Sequence, residues 1–390
     1  MRCVAERGET MAESQITPTL SIKTEALTAK GWKGIEEIAP GIDQVLSLDT
    51  DTMGMSYSEI SMKGTSYLSG RLCHFQHLGM DMLLPENQPV FAWKEDRKTG
   101  HRTGSYYPAS ELPQSCGVVR YGYQWKGNRV NEVVLPATEK KEQYSHKIVA
   151  VPEKHIPMKE WLEFFGFWLA DGCTRDHLRK DGSRDYTVAI AQNEDNLDYV
   201  LELIHKIGFK ATVLHKAPGD RCLNISIYSK QLWLFLQRFG RSENKYVPRE
   251  YLDLDRDYLE ALWKGYTNGD LTHTHSGLIV SSASRELVEN MQEVVLKVFG
   301  IMTRVSMRKT VRKGKTYVLW KINIPKKKKD VLTRFQEFES VPVIGTPVCA
   351  FALEHGDLML TRREGTLGWY SASAPSKLIA DFEKFERAGE

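Results

Sequence analysis

Asp171 and Asp270 are the residues through which this chain is best equipped to do chemistry. Each closes an apolar segment of helix length, EWLEFFGFWLADG and DYLEALWKGYTNGD, and each stands beside a glycine, Gly172 after the first acid and Gly269 before the second. Two carboxylates meeting at the ends of adjoining helices can hold a divalent cation, Mg²⁺ or Mn²⁺, between protein and a phosphate group. A lone acid after an apolar helix is usually a turn residue. Two acids closing matched segments make a stronger signal.

A basic stripe supplies what a phosphate partner would meet. Between Arg304 and Arg334 the chain carries Arg304, Arg308, Lys309, Arg312, Lys313, Lys315, Lys321, Lys326, Lys327, Lys328, Lys329 and Arg334, opposed only by Asp330. Cations so arranged suit phosphate contacts, each of which releases counterions. Part of the stripe falls on the alternating stretch TYVLWKINI, which reads as a strand, and a β-ribbon can enter a DNA groove. A solvated basic surface is the plainer alternative.

The elements that must position the two acids recur. After EWLEFFGFWLADG come a strand (YTVAIAQ), a helix (NLDYVLELIHKIGF), a strand (CLNISIYS) and a helix (KQLWLFLQRFG). After DYLEALWKGYTNGD come a strand (GLIVSSA), a helix (RELVENMQEVVLKVFGI), a strand (TYVLWKINI) and a last helix (KKKKDVLTRFQEF). Periodicity alternates between about 3.6 and 2 in the same order each time. Gly208 and Gly300 follow the second helix of each set, as helix-ending glycines do. Gly166 with Ala170, and Ala261 with Gly265, put small residues one turn apart, so the two opening helices are expected to pack closely.

FGFWLADG and LWKGYTNGD resemble the two signature motifs of LAGLIDADG homing endonucleases, over roughly residues 155–338. The second departs from the pattern, with Leu271 where a glycine usually follows the acid and Asn268 where another acid is common. The resemblance implies that Asp171 and Asp270 are metal ligands and that the strands after each motif form a saddle over the DNA major groove. It also implies an active-site polar role for Gln192, and makes Lys245 and Lys321 candidates for the basic residue of the catalytic centre. Each of these three has a plain reading too, as a groove-facing or phosphate-contacting side chain.

The flanks resemble an intein, a Hint-fold splicing domain. Thr19–Asp49 is similar to its opening block, Met80–Trp93 to its second, and Val348–Ser373 to its closing blocks. The splicing positions are degenerate: Thr19 for the first nucleophile, Pro85 and Gln88 for the Thr and His of the second block, and Ala372 for the cyclising Asn. Ser373 alone resembles its counterpart, the following nucleophile. Glutamine cannot transfer a proton at neutral pH. The expected fold is therefore α+β: a pseudo-twofold LAGLIDADG endonuclease of two αββαββα repeats, inserted in an all-β Hint-like splicing domain. The expected divisions are a flank at 1–18, Hint-like segments at 19–150 and 341–373, the endonuclease at 155–338 and a flank at 374–390.

Composition bounds the rest. A 390-residue chain needs more than one core, and 41% hydrophobic with 26% charged residues fits a folded, soluble protein. Six scattered cysteines without a CxxC pair argue against zinc and disulfide frameworks and fit a reducing intracellular compartment. No apolar run is long enough to span a bilayer. No Walker loop, dinucleotide fingerprint, nucleophile elbow or HExxH occurs. The expected activity is metal-dependent cutting of double-stranded DNA at a long asymmetric site by a monomer. The alternatives are a non-cutting DNA- or RNA-binding protein of the maturase or repressor type, and a splicing-active precursor.

Overall fold

In the computed structural model the residues described are 19–21, 24–77, 80–96, 98–113, 116–119, 122–141, 147–180, 184–215, 222–312, 314–326, 332–334 and 338–372. The chain divides into two compact units. One comprises residues 1–126, 295–305 and 327–390, the other residues 127–294 and 306–326, so the stretch 127–150 is grouped with the second.

The first unit is built of strands. Its axis is the long strand Gly54–His77, which pairs with Gln44–Leu48, with Met80–Pro85 and, antiparallel along most of its length, with Glu339–Leu353. The hairpin of Leu358–Arg363 and Thr366–Ser371 adds to this ten-stranded sheet beside Glu25–Thr28 and Gln44–Leu48. Thr19–Ser21 pairs with Val348–Ala350. Alternate residues of these strands turn inward, and Ala26, Val45, Phe75, Met82, Leu84, Phe351 and Met359 form one apolar core. Successive side chains of a strand point to opposite faces, and residues of the other face are buried too, Leu46, Leu48, Ala350 and Ala352 among them.

One element of the basic stripe differs from expectation. Leu332–Arg334 is not helical: it is a strand, antiparallel to Cys116–Val119 at the edge of a four-stranded sheet. An unpaired strand edge offers backbone donors and acceptors that a short segment can satisfy, and this tertiary pairing overrides local helix propensity. The stripe is divided between the two units. Arg304, bridged to Thr366, and Arg334 belong to the first unit, whereas Arg308, Lys309, Lys321 and Lys326 belong to the second. Lys313, Lys327, Lys328 and Lys329 lie outside the described residues, as do the side chains of Arg312 and Lys315.

In the second unit α1 (Met158–Asp171) and α5 (Arg256–Gly269) are the central helices. α1 is buried on nearly every side, which explains why its sequence is apolar all round and not striped. Its aromatic rings interlock with those of α3 (Lys230–Leu236) and α4 (Arg249–Leu252): Trp161 meets Phe235 edge-on at 5.1 Å, and Phe165 meets Tyr251 at 5.5 Å. The helix α2 (Leu197–Lys206) lies in the same unit, and α6 (Arg285–Phe299) begins there, its residues from Val295 on being grouped with the first unit. Gly208 and Gly300 follow these two with positive φ, 73° and 62°, as helix-ending glycines do.

Two four-stranded antiparallel sheets follow the two central helices. The first runs Gly172–Leu178, Arg184–Asn193, Cys222–Tyr228, Thr212–His215; the second runs Leu271–Thr274, Gly277–Ser282, Lys315–Pro325, Val305–Arg312. Numbered by their place in the chain, both sheets have the strand order 1-2-4-3. The ladders correspond row by row: Gly172–Ile190–Ile225 in one sheet and Leu271–Val280–Ile322 in the other.

Candidate metal and nucleic-acid site

The site begins with the crossing of α1 and α5. A Cβ on Gly166 would stand 2.2 Å from the carbonyl oxygen of Leu262, and one on Gly265 would stand 1.9 Å from that of Glu163. Only hydrogen fits at these positions, so the two backbones touch. The approach continues to the helix ends, where a Cβ on Gly269 would lie 2.6 Å from Ala170 Cβ and 2.9 Å from Asp171 Oδ2. Asp171 is the last residue of α1 and Asp270 the C-cap of α5. Close packing of two glycine-bearing helices thus delivers both carboxylates to one place. The sequence spacing pointed to Gly166, Ala170 and Gly265; the part played by Gly269 emerges from the structure.

Both acids are held out of their ordinary range. Burial, and after it the charge of Asp270, pushes the Asp171 carboxyl up to about 6, against the opposing pull of Lys245 and of a hydrogen bond from Gln192. Burial also raises Asp270, again opposed by Lys245. Gln192 Nε2 donates to Asp171 Oδ2 at 2.9 Å, so the expected polar neighbour is in contact with the first acid.

Lys245 is present too, in an unexpected role. Its residue is 5% exposed, and its ammonium donates to Trp168 O at 2.9 Å, Leu169 O at 2.8 Å and Gly172 O at 2.7 Å. An ammonium has three N–H bonds. All three are engaged on main-chain carbonyls at the end of α1, where the helix leaves carbonyls unsatisfied and its dipole favours a cation. Burial lowers the Lys245 pKa to about 8, an effect opposed by Cys173 and the two acids. Ser284 sets this arrangement from behind. Its hydroxyl donates to Lys245 O at 2.7 Å and accepts from Leu287 N at 3.1 Å, capping α6. Ser284 was readable as an N-cap before RELVENMQ, but not as the support of Lys245.

Lys321 lies on the strand Lys315–Pro325 of the second sheet. It is half-buried and opposite Ser281, one residue before Ile322 in the ladder that includes Leu271. No hydrogen bond joins it to either acid among the described residues. Arg308, Lys309 and Lys326 are exposed.

The donor set fits one kind of metal. Among the described residues no three His, Cys, Asp or Glu side chains gather as a metal cage. A closed structural zinc site is thereby a poor match. Two carboxylates are what Mg²⁺ commonly takes from a protein, its other positions being filled by water and substrate phosphate oxygens. The raised acids have an energetic corollary. A carboxyl whose folded pKa rises from 3.8 to about 6 stabilises the fold below pH 3.8, and that stability is lost as pH climbs through 6. At neutral pH, allowing for its partial exposure, metal-free Asp171 costs on the order of 2 kcal/mol. Asp171→Asn should therefore raise the Tm of the metal-free protein by roughly 5 °C at pH 7.5 and leave it unchanged at pH 4. A Tm that falls at pH 7.5 would contradict the assignment.

Of the positions that the resemblance assigns to splicing, Gln88 is 1% exposed and its Nε2 donates to Ser371 O at 3.4 Å, joining two segments nearly three hundred residues apart. Pro85 ends the strand paired with Gly54–His77, and Ala372 N donates to Asp357 O at 3.0 Å. The backbone of Thr19 pairs with Ala350, while its side chain and Ser373 lie outside the described residues.

No protein-family profile matches the chain. Among curated proteins it is 26% identical over 257 residues to an ATP-dependent Clp protease proteolytic subunit of Chlamydomonas moewusii, covering 64% of this chain and 24% of that protein. It is 24% identical over 256 residues to a DNA-directed RNA polymerase subunit beta C-terminal section of Stigeoclonium helveticum, covering 62% and 22%. The chain thus spans less than a quarter of the length of either relative. Among solved structures it is similar to a mesophilic variant of the homing endonuclease I-DmoI, with TM-score 0.35, 18% identity and coverage of 43% of this chain and 89% of that one. For I-DmoI in complex with DNA and Mn the values are 0.33, 16%, 43% and 89%. The N-terminal LAGLIDADG domain of DUF199/WhiA gives 0.29, 11%, 45% and 78%.

Proposed function

We propose that this chain is a site-specific, metal-dependent DNA endonuclease of the LAGLIDADG type, derived from an intein that has lost protein splicing. The observation that carries the reading is the pair Asp171 and Asp270, brought together by a helix crossing that only glycine permits and left at raised pKa by burial. Acids whose pKa is shifted by burial and by a specific charged neighbour cluster at functional sites. A divalent cation held there, Mg²⁺ or Mn²⁺, would supply Lewis-acid stabilisation of charge developing on a scissile phosphodiester. Gln192 fixes one Asp171 oxygen through its amide. Lys245 moderates the repulsion between the acids without offering a proton to the reaction, because its donors are engaged. Strands bearing Arg308, Lys309 and Lys321 supply cations to a duplex with a long asymmetric target site, bound by a monomer.

The intein-derived part of the reading has separate support. Two relatives with unrelated named roles match overlapping parts of this chain, each over less than a quarter of its own length. That pattern suits an element inserted into different hosts better than a shared host activity. In the first unit Gln88 meets Ser371 as the second and closing blocks of a Hint-like domain would. With Thr19, Pro85, Gln88 and Ala372 at the splicing positions, the first acyl shift is left to a secondary hydroxyl, which is poor at it, and cyclisation lacks its Asn.

The direct test is incubation with a random-site plasmid library and Mg²⁺, followed by sequencing of break ends. Recurrent breaks at one long sequence are expected; binding to a recurrent sequence without breaks would favour the non-cutting alternative. The splicing claim is checked by intact mass. Purified protein should remain at 44.6 kDa, and a fragment beginning at Thr19 or ending at Ala372 would contradict it.

A further inference from the structure

The two sheets of the second unit differ sharply in how their charges are committed. From Gly172 to Asn193 the first two strands of the first sheet and their turn carry four Lys or Arg against three Asp, whereas from Val305 to Lys326 the last two strands of the second carry seven Lys or Arg and no acid. In the first hairpin Arg184 Nη1 lies 2.5 Å from Asp176 Oδ2, and Arg179 Nε lies 2.6 Å from Asp185 Oδ2. Arg308 and Lys309 are exposed and have no ion pair among the described residues. The first hairpin of the first sheet is therefore largely offset by its own acids, whereas the last hairpin of the second sheet is uncompensated.

We propose that the second sheet, through Arg308, Lys309 and their neighbours, supplies most of the phosphate contacts that hold duplex DNA, and that the first hairpin supplies few. This rests on the DNA-binding reading above and adds which half carries the affinity. Exposed ion pairs are weak, about 0–1 kcal/mol each, so an approaching phosphate could draw Arg179 or Arg184 away. The acids would nevertheless stay, and their charge would oppose the phosphate drawn in. Local net charge decides the outcome, and it favours the second sheet. The first sheet is left to discriminate by base contact, which adds little salt dependence. Loading would then begin at the half closed by Asp270.

The test is the slope of log affinity against log salt on a random-sequence duplex, for wild type and three double variants. Each real phosphate contact contributes about 0.9 to that slope. Arg308→Ala with Lys309→Ala should lower it by about 1.8. Arg179→Ala with Arg184→Ala should leave it nearly unchanged. Asp176→Asn with Asp185→Asn should steepen it by up to about 1.8, because two arginines are released. Matched thermal melts exclude misfolding as the cause. Equal losses from the two arginine-containing pairs, or no steepening on removing the aspartates, would overturn the proposal while leaving DNA binding intact. A wild-type slope near zero would remove the DNA-binding reading itself.

Discussion

Asp171→Asn and Asp270→Asn are each expected to reduce DNA cleavage by roughly three orders of magnitude or more, while affinity for the recovered target stays within about tenfold. The rate effect follows from the several kcal/mol of charge stabilisation that a bound cation supplies, at about 1.4 kcal/mol per decade. The affinity is retained because groove and phosphate contacts, not metal ligation, set it. Neither substitution removes volume, and each relieves a buried charge, so loss of activity should coincide with unchanged or increased Tm. That combination distinguishes a functional acid from a structural one. Wild-type cleavage by both single variants would place the reaction elsewhere.

The second large effect concerns the helix crossing. Gly265→Ala adds one methyl group whose carbon would lie 1.9 Å from Glu163 O and 3.0 Å from Phe167 N. In an open helix the change would stabilise by about 1 kcal/mol. Here the obstacle is backbone on the opposite helix, which no rotamer change can relieve, and overpacking of this kind typically costs 1–3 kcal/mol and sometimes more. We expect a net loss of roughly 3 kcal/mol by chemical denaturation, and insoluble protein for Gly265→Val. Because α1 and α5 must separate to admit the methyl, cleavage should fall further than stability does. A Gly265→Ala protein as stable as wild type would show that the helices do not meet as described.

How far the sequence disclosed these features depended on whether the determinant was local. Asp171 and Asp270 were legible because each ends an apolar segment beside a glycine, and Gly166 and Gly265 because small residues one turn apart share a helix face. Gln192 was reachable only through the family resemblance. The role of Lys245 was not legible, since it depends on three carbonyls at and just beyond the end of a helix more than seventy residues earlier. The strand Leu332–Arg334 was misread as helix because its fate is decided by the free edge at Cys116–Val119 and not by its own residues. The pairing of arginines with aspartates in the first hairpin lay within local reach, as alternating charges on facing strands, but the significance appears only beside the acid-free second sheet.

The long ladder between Gly54–His77 and Glu339–Leu353 has a further consequence, for the order in which the chain can assemble. Its strands are nearly three hundred residues apart, Ile60 facing Leu353 and His74 facing Glu339. During synthesis the first strand leaves the ribosome long before its partner exists, and at about 5–20 residues per second the wait is of the order of tens of seconds. Through that interval Gly54–His77 can pair with Gln44–Leu48 and Met80–Pro85, but the edge reserved for Glu339–Leu353 stays open. Open edges invite pairing with other chains. The residues of the second unit are complete once Lys326 has emerged, so its helices and sheets can close while the first unit is still waiting. Slow translation near residues 327–353 would prolong exposure of the edge, and conditions that favour strand exchange between nascent chains would act there first.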